Sequence, residues 1–283
     1  MRKGFLMRKL VAFLTILVLC VGMMNGCLAN EGEGKLGRLA KLGVDEDTLN
    51  EVIREIYFSR IPFSGYLYFD SLNNMIDALN AGVIAGLEVD EYTARYILSR
   101  SDGFALFAYP ADLAEEISYA MLLRGEDRGL CDRISAVIAE MKADGTLESM
   151  KKQYIDDVIA GAEPETVSPE HFEGAETIRA ALTGDRPPMD YFSAAGEPVG
   201  FNTVLMAEIG KRLGVNVELI PVDSGARSIS LASKTSDVIF WTEVADFENW
   251  DGANREDQPD DTIPTEPYLS VGYELIVLPE NNQ

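Results

Sequence analysis

Between Phe201 and Gly214, apolar Leu205, Ile209 and Leu213 recur every four residues behind Asn202 and Thr203, either of which can cap a helix. Gly214 stands where a left-handed cap would end that helix. Val215, Val217 and Leu219 then alternate with Asn216 and Glu218 up to Pro221, the period of a half-buried strand, and Val238, Ile239 and Phe240 form an apolar run after Asp237. Strand, helix and strand with connections this short predict a right-handed parallel crossover, hence an open α/β sheet covered by helices.

The rest of the chain reads in the same terms. Leu36, Leu39 and Leu42 predict one helical face ending at Gly43, and Leu49, Val52, Ile53 and Ile56 a second, capped by Asp45 or Asp47. A strand over 66–69 leads to a helix opened by Ser71, carrying Met75 and Leu79 and stopped at Ala81-Gly82, and then to a strand over 83–87. Another strand is expected over 119–123. Leu130, Ile134, Val137, Ile138 and Met141 mark an amphipathic helix ending at Asp144-Gly145, and Thr146 starts a further turn or two through Tyr154. Residues 161–169, rich in Glu and Pro, read as a linker. The stretch 70–90 echoes 223–241: each has a strand, an Asp-Ser pair, a helix ending in small residues and another strand, which predicts two similar lobes.

Charge and composition narrow the classes. Arg2, Lys3, Arg8 and Lys9 precede an apolar run over residues 10–21, the layout of a secretory signal and too short for a spanning helix. Met24-Asn25-Gly26-Cys27 follows, and Glu31-Gly32-Glu33-Gly34 is suited to a flexible tether. The formal net charge of −23 makes nucleic acid and anionic membrane surfaces poor partners, and mildly favours a cationic or zwitterionic solute. Of three cysteines, Cys20 lies in the signal, Cys27 at its end, and Cys131 suits a small core residue, so no intramolecular disulfide is expected. One histidine, His171, argues against a His-based metal site or a Ser-His-Asp triad.

The order Pro187-Pro188, Tyr191, Gly196, Gly200-Phe201 opening a helix, Gly214, and then 231–237 leading into a strand resembles the first lobe of the bacterial extracellular solute-binding proteins of the polar-amino-acid class, family 3. The resemblance implies a type 2 periplasmic binding fold, with two α/β lobes and a ligand cleft between them. Gly82 to Asp90 resembles part of the family's second lobe, although Ala85 stands where an acidic residue is usual. The ending MKADGTLESMKKQYI resembles the family's last two helices, yet the first-lobe stretch comes after it, so the lobe order is expected to be circularly permuted. The organisation expected is a signal and lipobox over 1–27, a tether over 28–34, the second lobe over 35–123, closing helices over 124–160 that pack on the first lobe, a linker over 161–171 and the first lobe over 172–283.

The resemblance implies a membrane-tethered subunit of an ABC importer, acylated at Cys27, facing outward from the cell membrane and handing a small polar solute to a permease. It is expected to be a monomer with no cofactor and no metal. Asp90 matches the residue that reaches a ligand's amino group, with Glu88 on the same strand face. Met189 holds the family's stacking-aromatic position, with Tyr191 two residues on, and Trp241 could replace that aromatic, beside Thr242. Arg227 precedes an apolar helix face. The family's carboxylate-binding arginine has no counterpart before Arg255, which lies in an acidic loop. Two other readings stay open: an enzyme of dehydratase or lyase type using Glu88, Asp90 and Glu243, and a ligand sensor with a degenerate site.

Overall fold

The computed structural model describes residues 35–42, 51–108, 116–244, 259 and 261–282. The signal, Cys27, the tether and Arg255 lie outside the described residues. The chain is built from one motif used twice. In the first copy, β1 (Leu39–Leu42), α1 (Glu51–Arg60), β2 (Tyr66–Phe69), α2 (Leu72–Asn80) and β3 (Gly86–Asp90) form parallel strands in the spatial order β2-β1-β3. The second copy is β6 (Thr177–Leu182), α6 (Phe201–Leu213), β10 (Asn216–Pro221), α7 (Arg227–Ala232) and β11 (Val238–Val244), in the equivalent order β10-β6-β11.

Each sheet is completed by a strand that crosses from the other half of the molecule. After α3 (Glu91–Arg100) and β4 (Ala105–Phe107), β5 (Ile117–Arg124) enters the second sheet antiparallel to β11; β14 (Tyr273–Val277) returns to the first sheet antiparallel to β3, with β4 on its far side. The two strands occupy equivalent places and define a two-stranded hinge between a five-stranded lobe and a six-stranded lobe. β12 (Thr262–Pro264) and β13 (Leu269–Val271) both pair with β5. A three-stranded ribbon, β7 (Asp185–Arg186), β8 (Asp190–Phe192) and β9 (Pro198–Val199), lies between β6 and α6 in the chain.

Several expectations are corrected. Residues 39–42 form a strand, not a helix: Leu39 and Ala40 are fully buried in cores on opposite sides of the first sheet, and pairing with β2 and β3 on both flanks overrides the threefold leucine spacing. The strand expected at 83–87 begins at Gly86. Strand 117–124, expected in the second lobe, belongs to the six-stranded lobe, whereas 273–277, where the resemblance has the chain cross into the second lobe, does pair in the five-stranded sheet. The helix at 201–213 is capped by Gly200 instead of Asn202 or Thr203. A Cβ at Gly200 would stand 2.5 Å from the Met189 carbonyl oxygen, and its φ of 105° suits only glycine.

The larger core fills the six-stranded lobe. Ile134, Ile138 and Met141 of α4 (Arg128–Ala143) and Leu147 and Met150 of α5 (Thr146–Lys151, continuing through a π turn at Lys152–Asp156) share it with Leu205 and Ile209 of α6. Arg212 on α6 locks the joint between α4 and α5, donating to Asp144 Oδ2 at 2.9 Å and Thr146 Oγ1 at 2.8 Å. Where β11 begins, Asp237 accepts from Arg124 Nη2 on β5 at 2.9 Å and from Arg179 Nε, Nη2 and backbone N on β6 at 2.8–3.0 Å. Burial opposes its charge, but these bonds outweigh it and hold its pKa below the usual aspartate value. Cys131 is buried and donates to the Pro264 carbonyl. Residues 162–172 contain no helix or strand.

Candidate functional site

Ligands of open α/β sheets collect beyond the carboxyl ends of parallel strands, and that is where the chain gathers its polar groups from both lobes. Asp90 ends β3, and Ser71-Leu72 follow β2. Asp185-Arg186 follow β6, and Trp241 lies in the carboxyl half of β11.

Trp241 is the most constrained of these. Between Ile239 and Thr242 the pairing of β11 with β5 slips, and Trp241 sits in that bulge at φ 68°, a left-handed conformation that a bulky residue rarely adopts. Such strain costs of order 1–3 kcal/mol and persists only where surroundings hold it. The holding group is Asp190: its Oδ2 accepts from Trp241 Nε1 at 2.8 Å and Asn202 Nδ2 at 3.0 Å, and its Oδ1 from Thr183 Oγ1 at 2.6 Å and Gly184 N at 2.8 Å. Asp190 is fully buried, so these four donors are what stabilise its carboxylate there. Tyr119 packs edge-on against the indole, with ring centroids 5.2 Å apart.

Over the indole lies Arg186, its guanidinium carbon 4.4 Å from the ring centroid. Its Nε is buried without a hydrogen-bond partner, and among the described residues no carboxylate lies within ion-pair distance of it. Burial opposes the guanidinium charge, while the carboxylates of Asp90, Asp185 and Asp190 favour it, and its pKa is raised. Sequence reasoning looked for the cleft's arginine after β11 and missed this one. The available signal was a lone base between a strand and Pro187-Pro188, beyond a carboxyl strand end.

From the other lobe, Asp90 is buried and caps α3, accepting from Tyr92 N at 3.1 Å, Thr93 N at 2.9 Å and Thr93 Oγ1 at 2.7 Å. Its charge is also felt by Arg186 and Tyr119 across the cleft. Glu88 is tied within its own lobe by the Tyr57 and Tyr66 hydroxyls at 2.6 and 2.8 Å and Lys41 at 3.5 Å. At the hinge Tyr273 donates to Glu243, and Tyr119 lies 3.5 Å from the Tyr273 hydroxyl. Burial, with Glu243 adding to it, pushes both phenols well above their ordinary pKa, so both remain protonated donors.

The other expected residues fall apart from this group. Met189 is fully buried in the larger core and presents no surface, because β8 and α6 close over it. Arg227 is directed at backbone, donating to the Ser224 and Phe240 carbonyls at 3.3 and 2.8 Å, and so braces α7 against β11. Thr242 is buried opposite Ala120. Tyr191 is half-buried, 6.0 Å from the Tyr96 ring of the opposite lobe. A separate cavity of about 470 Å³ opens beside the hinge strands, between Tyr92 of one lobe and Lys142, Lys151, Phe201 and Tyr268 of the other. The described residues contain no cluster of three potential metal ligands, and no helix among them is long and apolar enough to cross a membrane.

Two α/β lobes joined by crossing strands, with a polar cleft between them, define a two-lobed binding protein in architecture. Residues 178–244, about a quarter of the chain, match the bacterial extracellular solute-binding proteins, family 3, a span that holds Arg186, Asp190 and Trp241. No curated protein matches the sequence. Similar solved structures include a pheromone cOB1 precursor/lipoprotein of the YaeC family from Enterococcus faecalis, 12% identical, covering 87% of this chain and 86% of that one at a TM-score of 0.44. A zinc-bound ligand-binding component of an ABC-type import system from Staphylococcus aureus is 9% identical over 87% of this chain and 67% of that one, at 0.43. The probable amino-acid ABC transporter extracellular-binding protein ytmK from Bacillus subtilis is 9% identical over 88% and 86%, at 0.41.

Proposed function

We propose that the chain is the extracytoplasmic solute-binding subunit of an ABC importer, closing its lobes over a small cationic or zwitterionic solute. The observation that carries this reading is the strained Trp241, fixed by Asp190 inside the segment that matches the family and set in a bulge of β11, with Asp90 of the other lobe facing the same cleft. An aromatic platform with a carboxylate opposite suits a solute bearing an ammonium or guanidinium group. Of the charged groups that meet at the cleft, Asp90, Asp185 and Glu243 outnumber Arg186, which favours a cation further.

Two features of the wider reading belong to the same proposal. Acylation at Cys27 would tether the protein to the membrane. A permuted lobe order is supported by the sheet register: Val277, Gly86 and Leu39 lie in one row of the five-stranded sheet, so the end of β14 and the start of β1 are two strand spacings apart, roughly 10 Å. The test of function is a thermal-shift screen of the mature chain against amino acids, polyamines and dicarboxylates. Stabilisation by cationic or zwitterionic solutes is expected; stabilisation by dicarboxylates alone would contradict the proposal.

A further inference from the structure

The cleft contains an acid and a base that are neighbours in sequence and that take up contacts a solute would need. Leu72 opens α2 in the five-stranded lobe, and its N–H has no acceptor within its own helix. It donates across the cleft to Asp185 Oδ2 at 3.1 Å, while the helix cap Ser71 accepts from Asn74 N. Asp185 Oδ1 is buried without a partner, as is Arg186 Nε. The carboxylate thus reaches out of its own lobe to a helix terminus of the other, where a helix's exposed amides and dipole favour an anion. The adjacent guanidinium lies over Trp241 and is drawn by Asp90, the residue the family resemblance assigns to a ligand's amino group.

Resting on the cleft reading above, we propose that Asp185 and Arg186 act as an intramolecular ligand: the carboxylate, bonded to α2 of the other lobe, holds the lobes closed without solute, while the guanidinium occupies the Trp241 face within its own lobe, so that a solute binds by displacing them. Other cross-lobe contacts lie to either side of the Asp185–Leu72 bond: Tyr273 with Glu243 and Tyr119 at the hinge, Tyr92 of α3 buried in the larger core, and, farther out, Arg95 to Asp156 at 3.4 Å, Arg100 to the Val158 carbonyl at 2.9 Å, and the Tyr96–Tyr191 ring contact. Burial raises the pKa of Asp185, the cost of keeping a half-satisfied carboxylate in the closed cleft. A solute must compete with a tethered group, so its apparent affinity falls by the fraction of molecules left open.

The test uses the ligand-free mature chain and two variants that break the contact from opposite sides. Asp185→Ala removes the acceptor. Leu72→Pro removes the donor at a first helical position, where the backbone tolerates proline and the extended Ser71 (φ −148°, ψ 150°) already suits one; because the Leu72 side chain is also buried in the smaller core, Leu72→Ala, which keeps the N–H, is measured beside it as the packing control. Hydrogen exchange at the Leu72 amide is expected to quicken roughly ten- to a hundredfold in Asp185→Ala, as for loss of a charge-assisted bond. Small-angle scattering should show a compact wild type and a larger radius of gyration in both variants. Faster exchange with an unchanged radius would make the contact a helix cap and overturn the proposal, as would a wild type already as expanded as the variants. Compaction is read without any solute, so the latch is judged separately from the solute-binding reading, which fails if wild type and variants respond to no solute in the screen or to dicarboxylates alone.

Discussion

Asp190→Asn isolates the group that fixes the site. In the native protein one buried carboxylate accepts four hydrogen bonds, two on each oxygen. An asparagine keeps the shape and can accept at only one oxygen, so its NH2 must face either Asn202 and Trp241 or Thr183 and Gly184. The Thr183 hydroxyl can turn to accept, which makes the second orientation the cheaper one, yet it still leaves the Gly184 N–H orphaned in the core. One orphaned buried donor costs about 1–3 kcal/mol, and bonds to a charged acceptor exceed neutral ones by about 1 kcal/mol. The expected loss is therefore about 2–4 kcal/mol, which lowers the melting temperature by roughly 4–16 °C for a chain of this size. Calorimetric melting of wild type and variant measures it. A shift below about 1 °C would mean that Asp190 does not hold the bulge and that the strain at Trp241 has another source.

Three further outcomes follow from the same structure. Asp237→Asn should destabilise by about 2–3 kcal/mol, below the usual cost of breaking a buried pair because the Arg179 side chain is 37% exposed. Since the folded pKa of Asp237 is depressed, its contribution is complete above the unfolded value near 4 and is lost as pH falls through the folded one, so melting curves of the two proteins should converge below about pH 4; a constant gap would contradict the pairing. A chain reopened within 162–172, with Leu278 joined to Arg38 through about four residues, spans the roughly 10 Å gap and should melt within a few degrees of wild type, whereas failure to fold would refute the permuted connection. Cys27→Ser should release the protein from the membrane fraction, and unchanged membrane association would refute acylation there.

What could be read from sequence was what local pattern determines. The periodic helices at 128–143 and 201–213 and the strand at 216–221 are local features, and the echo of 70–90 in 223–241 is the repeated β2-α2-β3 and β10-α7-β11 unit. Leu39 to Leu42 was misread because a threefold leucine spacing fits a helix as well as it fits a strand buried on both faces, and only the partners on either side decide. Trp241 was visible as an aromatic at a strand's end, but its bulge depends on a register slip against β5, more than a hundred residues earlier in the chain. The Asp185–Leu72 contact was invisible for the same reason, since its donor comes from the other lobe, whereas Arg186 left only the signal of a lone base before Pro187-Pro188.

The central claim is that Asp90 and the Trp241 platform receive a cationic group. Isothermal titration of a solute found in the screen, on wild type and on Asp90→Asn, tests it most directly. Removing the charge while keeping the shape should weaken binding about ten- to a hundredfold, 1.5–3 kcal/mol, through loss of a charge-assisted bond. Equal affinities for the two proteins, or tightest binding of a dicarboxylate, would contradict the account.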